Sequence, residues 1–416
     1  MDTYNNDIIP NDCSMFWDNI SCDIYSLTNI KYPVFNHSFN YDLFKNFPLN
    51  EIKTNLANNN YDIESIFISY MEQHKIMHLI DANFFKLSNI KTIFDFYNDL
   101  NKLNKLNSAC SFIDINDKKK IIFTVVIFIA ICVSSITINN NQNDLKTTYD
   151  NNPLILFYIS SYLFFDYLFD DITINKNIKK NIVKYVNNIF DNGPNLDFSI
   201  PNDKYFDTIN NLFMILQCYD KSKYPLLYQT LKNVFNIEAT TSKIQTYYEN
   251  YNVDLDKILL CTLLKGRETI NGVWQICDID KDFKQDIKYN KLMNHFGLIF
   301  QMLDDLIDIE QDINENNITI FSYPFIYKIE NPKEYLEKNI IKLTNYVYLF
   351  RNIQDEIDIN FSEKQKEMLF NMLLLMLNYG ISKNDILKKI LADHQHLFFF
   401  KFDDIIKFRQ FKYEIF

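Results

Sequence analysis

Four aspartates follow an apolar stretch in the segment FGLIFQMLDDLIDIEQD, residues 296–312. Residues at i, i+4 and i+8 share one face of a helix, so Asp304, Asp308 and Asp312 are predicted to form a column, with Asp305 beside it. Like charges at this spacing repel one another by a few tenths of a kcal/mol for each pair. The column therefore indicates either a face that water screens or a face that holds a cation.

A second acidic group lies in SSYLFFDYLFDDITIN, residues 160–175, where Asp166 and Asp170 are four residues apart and Asp171 follows directly. This segment is also very apolar, and burying an unpaired carboxylate is costly. Mg²⁺ binds one or two carboxylates and completes its octahedron with water and phosphate oxygens. Two facing columns would hold a diphosphate through bridging Mg²⁺ ions. Two solvated helix ends are the alternative interpretation.

The composition excludes several other kinds of site. Only five glycines occur, without a GxGxxG or GxxxxGK[ST] pattern, so a glycine-rich phosphate loop is excluded. The net charge of −11 argues against nucleic acid as a partner. Seven cysteines without CxxC spacing favour a reduced compartment over a disulfide frame. The first residues lack the basic start and apolar stretch of a secretory signal, so we expect a cytoplasmic protein.

The elements that must position these aspartates are predicted to be helices along nearly the whole chain. Hydrophobic residues make up 47% of the sequence, and no run of alternating hydrophobicity broken by hairpin turns occurs. A capping box at Ser362 predicts a helix that ends at a Gly380 C-cap, and the next helix is predicted to start at Ser382. Gly297 shares the face of Asp304, where we expect its missing side chain to leave room for a ligand.

One apolar segment, residues 121–138, follows lysines 118 to 120 and approaches the length of a membrane span. It is rich in β-branched residues and contains serines and threonines, so a buried core helix is our prediction and a membrane span the alternative. The expected organisation is an N-terminal extension over 1–85 and one all-α domain over 86–416.

A family resemblance is carried by the pattern G-x-x-F-Q-x-x-D-D-x-x-D, which is matched at Gly297, Phe300, Gln301, Asp304, Asp305 and Asp308. It resembles the second aspartate-rich motif of isoprenyl diphosphate synthases. The segment 166–170, DYLFD, is similar to their first motif, D-D-x-x-D, which class I terpene synthases share. Tyr167 replaces its second aspartate, and an alignment from Asp170 keeps the pair but loses the third aspartate. The resemblance covers about residues 110–330.

The resemblance implies an all-α bundle of antiparallel helices around a central cavity, with three Mg²⁺ ions. The implied metal ligands are Asp166, Asp170, Asp304, Asp305 and Asp308. KGRETINGVW, residues 265–274, lies where the family has a Lys-Thr pair or a diphosphate-sensing arginine, which implies catalytic roles for Lys265 and Arg267. Lys412–Tyr413 is similar to an Arg-Tyr pair that closes over the diphosphate. The implied substrate-binding residues are Asp171, Thr269, Gln301, Asp312, Lys412 and Tyr413.

The family's site for a second diphosphate is not matched. Chain-elongating synthases hold isopentenyl diphosphate with G-K-x-x-R-P, but DKKKIIF, from Asp117, lacks the glycine, arginine and proline. NKNIKK, residues 175–180, has lysines where two arginines are expected, and lysine is a point charge, not a bidentate fork. These departures favour a class I terpene synthase that ionises one allylic prenyl diphosphate and guides the carbocation.

Two alternatives stay open. One is a chain-elongating prenyl diphosphate synthase that uses Lys118, Lys119 and Lys120 in place of the usual anchors. The other is a non-catalytic helical protein that binds a partner subunit or a lipid. The expected ligand is a small-molecule prenyl diphosphate, and a homodimer is an open possibility.

Overall fold

The computed structural model describes residues 153–171, 173–193, 204–217, 219–246, 255–277, 279, 286–357 and 363–398. Of these residues 84% are helical and none lies in a strand, which confirms the predicted all-α class for this part of the chain. The extension over 1–85, the segment 121–138 and the Lys412–Tyr413 pair lie outside the described residues. Within the described ranges, no helix has the length and apolar character needed to cross a membrane.

The helices are α1 (Pro153–Asp170), α2 (Lys176–Asn192), α3 (Lys204–Leu216), α4 (Pro225–Thr246), α5 (Leu255–Cys277), α6 (Ile287–Ile307), α7 (Ile309–Glu315), α8 (Tyr323–Ile326), α9 (Pro332–Glu356), α10 (Glu363–Lys383) and α11 (Asp385–Ile390), with a 3₁₀ helix over Ala392–Leu397. They belong to two compact units. Among the described residues, unit I holds 153–243 and 268–286, and unit II holds 244–267 and 287–398. Residues of α5 therefore contribute to both units.

Unit I is built on aromatic packing among α1, α2, α3 and α4. Phe165 of α1 meets Phe235 of α4 with ring centroids 4.7 Å apart. Phe213 of α3 lies 5.1 Å from Phe190 of α2, again as an edge-to-face pair. Such pairs add about 0.5–1.5 kcal/mol each beyond the burial of their area. The aromatic residues of these four helices therefore form the core of the unit.

The sequence of α2 shows why these segments form amphipathic helices. Its buried residues recur every three or four positions, at Lys179, Ile182, Tyr185, Val186, Ile189 and Phe190. The helix starts at Asn175, whose side chain accepts a hydrogen bond from the amide of Asn177. It ends at Gly193, which has a φ of 79° that glycine adopts without strain.

Unit II is built on three long helices, α6, α9 and α10, each of which packs against the other two. Tyr346 and Phe350 of α9 are fully buried in this core. The short helix α11 packs on α9 and α10 and is capped by Asn384, whose side chain accepts from two amides of its first turn. The helix start predicted at Ser382 therefore lies two residues further on.

The predicted C-cap at Gly380 is wrong, because α10 continues through this glycine to Lys383. Gly380 faces the end of α6, where a β-carbon would lie 3.2 Å from Ile307 Cγ1 and 3.3 Å from Leu306 Cγ. Its small size therefore allows α10 to pack closely against the last turn of α6.

The predicted ligand space at Gly297 is also wrong, because α5 and α6 cross there with backbone against backbone. A β-carbon on Gly297 would lie 2.6 Å from the Arg267 amide nitrogen and 2.7 Å from the Gly266 carbonyl oxygen. A β-carbon on Gly266 would lie only 2.0 Å from the Gly297 carbonyl oxygen. Both positions require glycine because neither backbone can move away without separating the helices.

Gly297→Ala should lower the free energy of unfolding by more than about 2 kcal/mol. Overpacking costs about 1–3 kcal/mol or more, whereas the higher helix propensity of alanine stabilises the fold by only about 1 kcal/mol. The matched control is Gly380→Ala, whose β-carbon meets mainly side-chain atoms that can shift, so its effect should stay within about 1 kcal/mol. Urea denaturation measures both variants. Equal stabilities for the two would contradict the backbone crossing.

Candidate active site

The aspartates at the end of α6 occupy two environments. Asp305 and Asp312 are buried, whereas Asp304 and Asp308 are half-buried. The helix bends at Asp308, which has φ −102° and ψ 11°, before α7 begins. The backbone bonds from Asp308 N to Asp304 O and from Asp312 N to Asp308 O continue across this bend. The column predicted for Asp304, Asp308 and Asp312 therefore follows a helix that bends at Asp308.

Asp305 is held between α6 and α5. Its Oδ1 accepts a hydrogen bond from Gln301 Nε2 at 3.1 Å, and its Oδ2 accepts one from Thr262 Oγ1 at 3.3 Å. Burial raises the pKa of the Asp305 carboxyl to about 6, and the charge of Asp308 adds to the rise. The bond from Gln301, the charge of Lys265 and the bond from Thr262 oppose it. The carboxylate is therefore costly in the core even with these partners.

Asp312 holds the loop that follows α7. Its two carboxylate oxygens accept hydrogen bonds from Asn317 Nδ2 at 3.1 Å and from Thr319 Oγ1 at 3.2 Å. Burial raises the pKa of Asp312 well above its usual value, and the charges of Asp305 and Asp308 raise it further. This geometry gives Asp312 a structural role, and its expected contact with substrate stays a prediction.

Asp304 and Asp308 are the more accessible pair, one helical turn apart. Asp304 Oδ2 accepts a hydrogen bond from Gln301 Nε2 at 3.2 Å, and Asp308 Oδ1 lies 3.1 Å from Lys383 Nζ. Carboxylate oxygens suit a hard cation, and Mg²⁺ is commonly held by one or two of them together with water and phosphate. The donors at this helix end therefore fit Mg²⁺. Within the part of the chain that the structure describes, no three His, Cys, Asp or Glu side chains lie close enough together to hold a metal ion.

The α5 residues expected to act on the diphosphate are divided between the two units. Lys265 is buried in unit II, and its charge lowers the pKa of Asp305. Arg267 is half-buried in the same unit, with its backbone amide at the crossing with Gly297. Thr269 belongs to unit I, where its carbonyl accepts a hydrogen bond from the Tyr158 hydroxyl at 2.7 Å. Lys265 is thus the member of this set whose charge acts on Asp305.

The first acidic group lies at the C-terminal end of α1, in unit I. Asp166 and Asp170 are half-buried in its last turns. Tyr167, next to Asp166, is 49% exposed. Asp171 Oδ1 accepts hydrogen bonds from the amide and the hydroxyl of Thr173, at 2.8 and 2.6 Å. One oxygen of Asp171 is therefore engaged in the turn between α1 and α2.

Lys179, from the lysine-rich segment 175–180, brings a positive charge to this helix end. Its Nζ donates to the carbonyl oxygen of Phe169 at 2.7 Å, as basic side chains often do at a helix C-terminus. Burial lowers the pKa of Lys179, and the carboxylates of Asp170 and Asp171 oppose that shift. The lysine thus stabilises the end of α1 and partly offsets the charge of the acidic group.

The two acidic groups belong to different units, Asp166 and Asp170 to unit I and Asp304, Asp305 and Asp308 to unit II. That they face one another across a shared cavity stays a prediction.

Two residues of the site were missed from the sequence. Thr262 lies three residues before Lys265 and seven before Thr269, a helical spacing that could have indicated a polar face on α5. Lys383 is 75 residues from Asp308, and no sequence spacing connects them. Thr262 could have been found from its spacing within α5, whereas the place of Lys383 depends on the packing of α10 against α6.

Comparisons of this chain with protein-family models, with curated proteins and with solved structures returned no match. The resemblance to the synthase family therefore rests on the motif residues, and the activity is a proposal.

Asp305→Asn should stabilise the metal-free protein at neutral pH. The folded carboxyl has a pKa of about 6, above the unfolded value of about 3.9. The folded state therefore binds more protons between these values, and its free energy of unfolding falls as pH rises through this range. At pH 7 the cost is on the order of 3 kcal/mol, since each pKa unit corresponds to about 1.4 kcal/mol.

Urea denaturation in EDTA at pH 5 and pH 7 measures this effect. The gain from Asp305→Asn should be larger at pH 7 than at pH 5. Glu310→Gln is the matched control, because it removes an exposed carboxyl from the neighbouring helix α7. Equal gains at the two pH values would contradict a buried, charged Asp305.

Proposed function

We propose that this chain is a Mg²⁺-dependent enzyme of the class I terpene synthase type, which ionises one allylic prenyl diphosphate and guides the carbocation to a product. The observation that carries the proposal is the end of α6, where half-buried Asp304 and Asp308 flank buried Asp305. Gln301 donates to two of these carboxylates, and the charge of Lys265 acts on Asp305. Carboxylates so close together repel until a cation joins them, and Mg²⁺ on one or two carboxylates commonly shares its coordination with phosphate.

In this proposal Asp304 and Asp308 would hold Mg²⁺, and the bound ion would supply positive charge that favours loss of the diphosphate. Gln301 orients Asp304 through its hydrogen bond. Thr262 and Gln301 favour the ionised form of Asp305 against the cost of burial. Lys265 contributes a positive charge beside the carboxylates, and Arg267 binds the departing diphosphate, as the family resemblance implies.

A carbocation also needs walls that exclude water. In unit I a cavity of about 20 Å³ is lined by rings from four helices, among them Phe165 of α1, Phe190 of α2, Phe213 of α3 and Phe235 of α4. Aromatic faces stabilise cations. The cavity has room for about one water molecule, so a prenyl chain would enter it only if these side chains moved. The cavity belongs to unit I and the proposed Mg²⁺ ligands to unit II, so its use as the carbocation chamber stays a prediction.

Asp304→Ala and Asp308→Ala should each lower turnover by roughly two orders of magnitude or more, because each removes a proposed Mg²⁺ ligand. The assay incubates the purified chain with Mg²⁺ and geranyl, farnesyl or geranylgeranyl diphosphate and measures products and released diphosphate. Circular dichroism and thermal melting should show an intact fold. Glu310→Ala, an exposed change on α7, is the matched control. Near wild-type turnover in either aspartate variant would overturn the Mg²⁺ assignment, and no turnover by the wild type would favour a non-catalytic protein.

The chain should not incorporate isopentenyl diphosphate, because the family's anchors for that substrate are missing. Replacing Lys118, Lys119 and Lys120 together with alanine should leave turnover of a single allylic diphosphate largely intact. Labelled isopentenyl diphosphate is added to both proteins, and longer prenyl diphosphates are sought among the products. Label in a longer product would favour the chain-elongating alternative.

A further inference from the structure

Lys383, the last residue of α10, forms an ion pair with Asp308. Its Nζ lies 3.1 Å from Asp308 Oδ1, and the two side chains are 34% and 44% exposed. The residues are 75 positions apart, so the pair results from the packing of α10 against α6. Gly380, one turn earlier, allows that close approach because it has no side chain to hold Ile307 away.

The Asp308 carboxylate pairs with Lys383 and does not cap its own helix. Asp308 occupies the N-cap position of α7 but makes no side-chain capping hydrogen bond there. An aspartate at this position ordinarily accepts a hydrogen bond from an amide of its own helix. Here the carboxylate reaches across to α10 instead.

We propose that Lys383 is the resident counter-ion of Asp308, and that a divalent cation binding at Asp304 and Asp308 displaces it. The inference rests on the proposed function, which assigns Mg²⁺ to these two carboxylates. A lysine ammonium is a point charge on a flexible stem, and this one is partly exposed, so it can withdraw into solvent. The lysine places a positive charge beside the Asp308 carboxylate. The same charge opposes the arrival of a cation.

Calorimetric titration of the full chain with Mg²⁺ alone, and again with inorganic diphosphate present, tests the inference. Lys383→Met keeps the length of the side chain and removes its charge, so it should bind Mg²⁺ roughly three- to tenfold more tightly than the wild type. Lys383→Arg should bind it as the wild type does. The matched control is Lys366→Met on the same helix, where the lysine pairs with Asp355 at 2.7 Å and should not affect Mg²⁺ binding.

Melting curves give a second readout that does not depend on activity. In EDTA, Lys383→Met should melt below the wild type because the carboxylates lose their counter-charge, and Mg²⁺ should close that gap. Asp304→Asn in the Lys383→Met background should abolish the tighter binding. If Lys383→Met does not fold, Lys383→Gln takes its place in the same titration.

The outcomes separate this inference from the proposed function. Equal or weaker Mg²⁺ binding by Lys383→Met, with binding still lost in Asp304→Asn, overturns the inference and leaves the proposed function standing. Mg²⁺ binding by the Lys383→Met variant but not by the wild type supports the inference. No Mg²⁺ binding by either protein, with or without diphosphate, overturns both.

Discussion

The backbone contact between Gly266 and Gly297 is the constraint on which the arrangement in unit II depends. Two helices can approach this closely only where neither has a β-carbon, and here each missing β-carbon would meet backbone atoms of the other helix. From this contact α5 and α6 run antiparallel, so Thr262, four residues before Gly266, lies within hydrogen-bond distance of Asp305 on α6. A wider crossing would remove that hydrogen bond from a buried carboxylate and leave it harder to keep charged.

In the resulting site, hydrogen bonds and one lysine offset only part of the cost of burying two carboxylates. Burial raises the pKa of Asp305 and Asp312, although each accepts two hydrogen bonds and Lys265 acts on the first. The charges of these carboxylates and of Asp308 raise one another's cost, which protonation or a nearby cation would lower. Perturbed pKa values cluster at functional sites, and in this respect they support the proposed function.

The two acidic groups differ in how their charge is offset. In unit I, Lys179 donates to the end of α1 and lies near Asp170 and Asp171, while Thr173 occupies an oxygen of Asp171. In unit II, Asp308 is offset by Lys383, a partly exposed lysine at a helix end. A lysine buried against a carbonyl is harder to displace than one that solvent reaches. The end of α6 is therefore the better candidate for exchanging a resident charge for a bound cation.

Local sequence determined the helical class and the existence of the acidic groups, because helical periodicity and capping depend on residues a few positions apart. The aspartates of α6 could be predicted in this way, and the start of α11 was found to within two residues of Asn384. Tertiary structure alone decided that Gly297 and Gly380 serve helix contacts, that the helix bends at Asp308, and that Asp305 turns inward while Asp304 stays accessible. It also decided the pairing of Lys383 with Asp308, since that contact joins residues 75 positions apart. These features depend on which faces of separate helices meet, and periodicity within one helix carries no information about its neighbour.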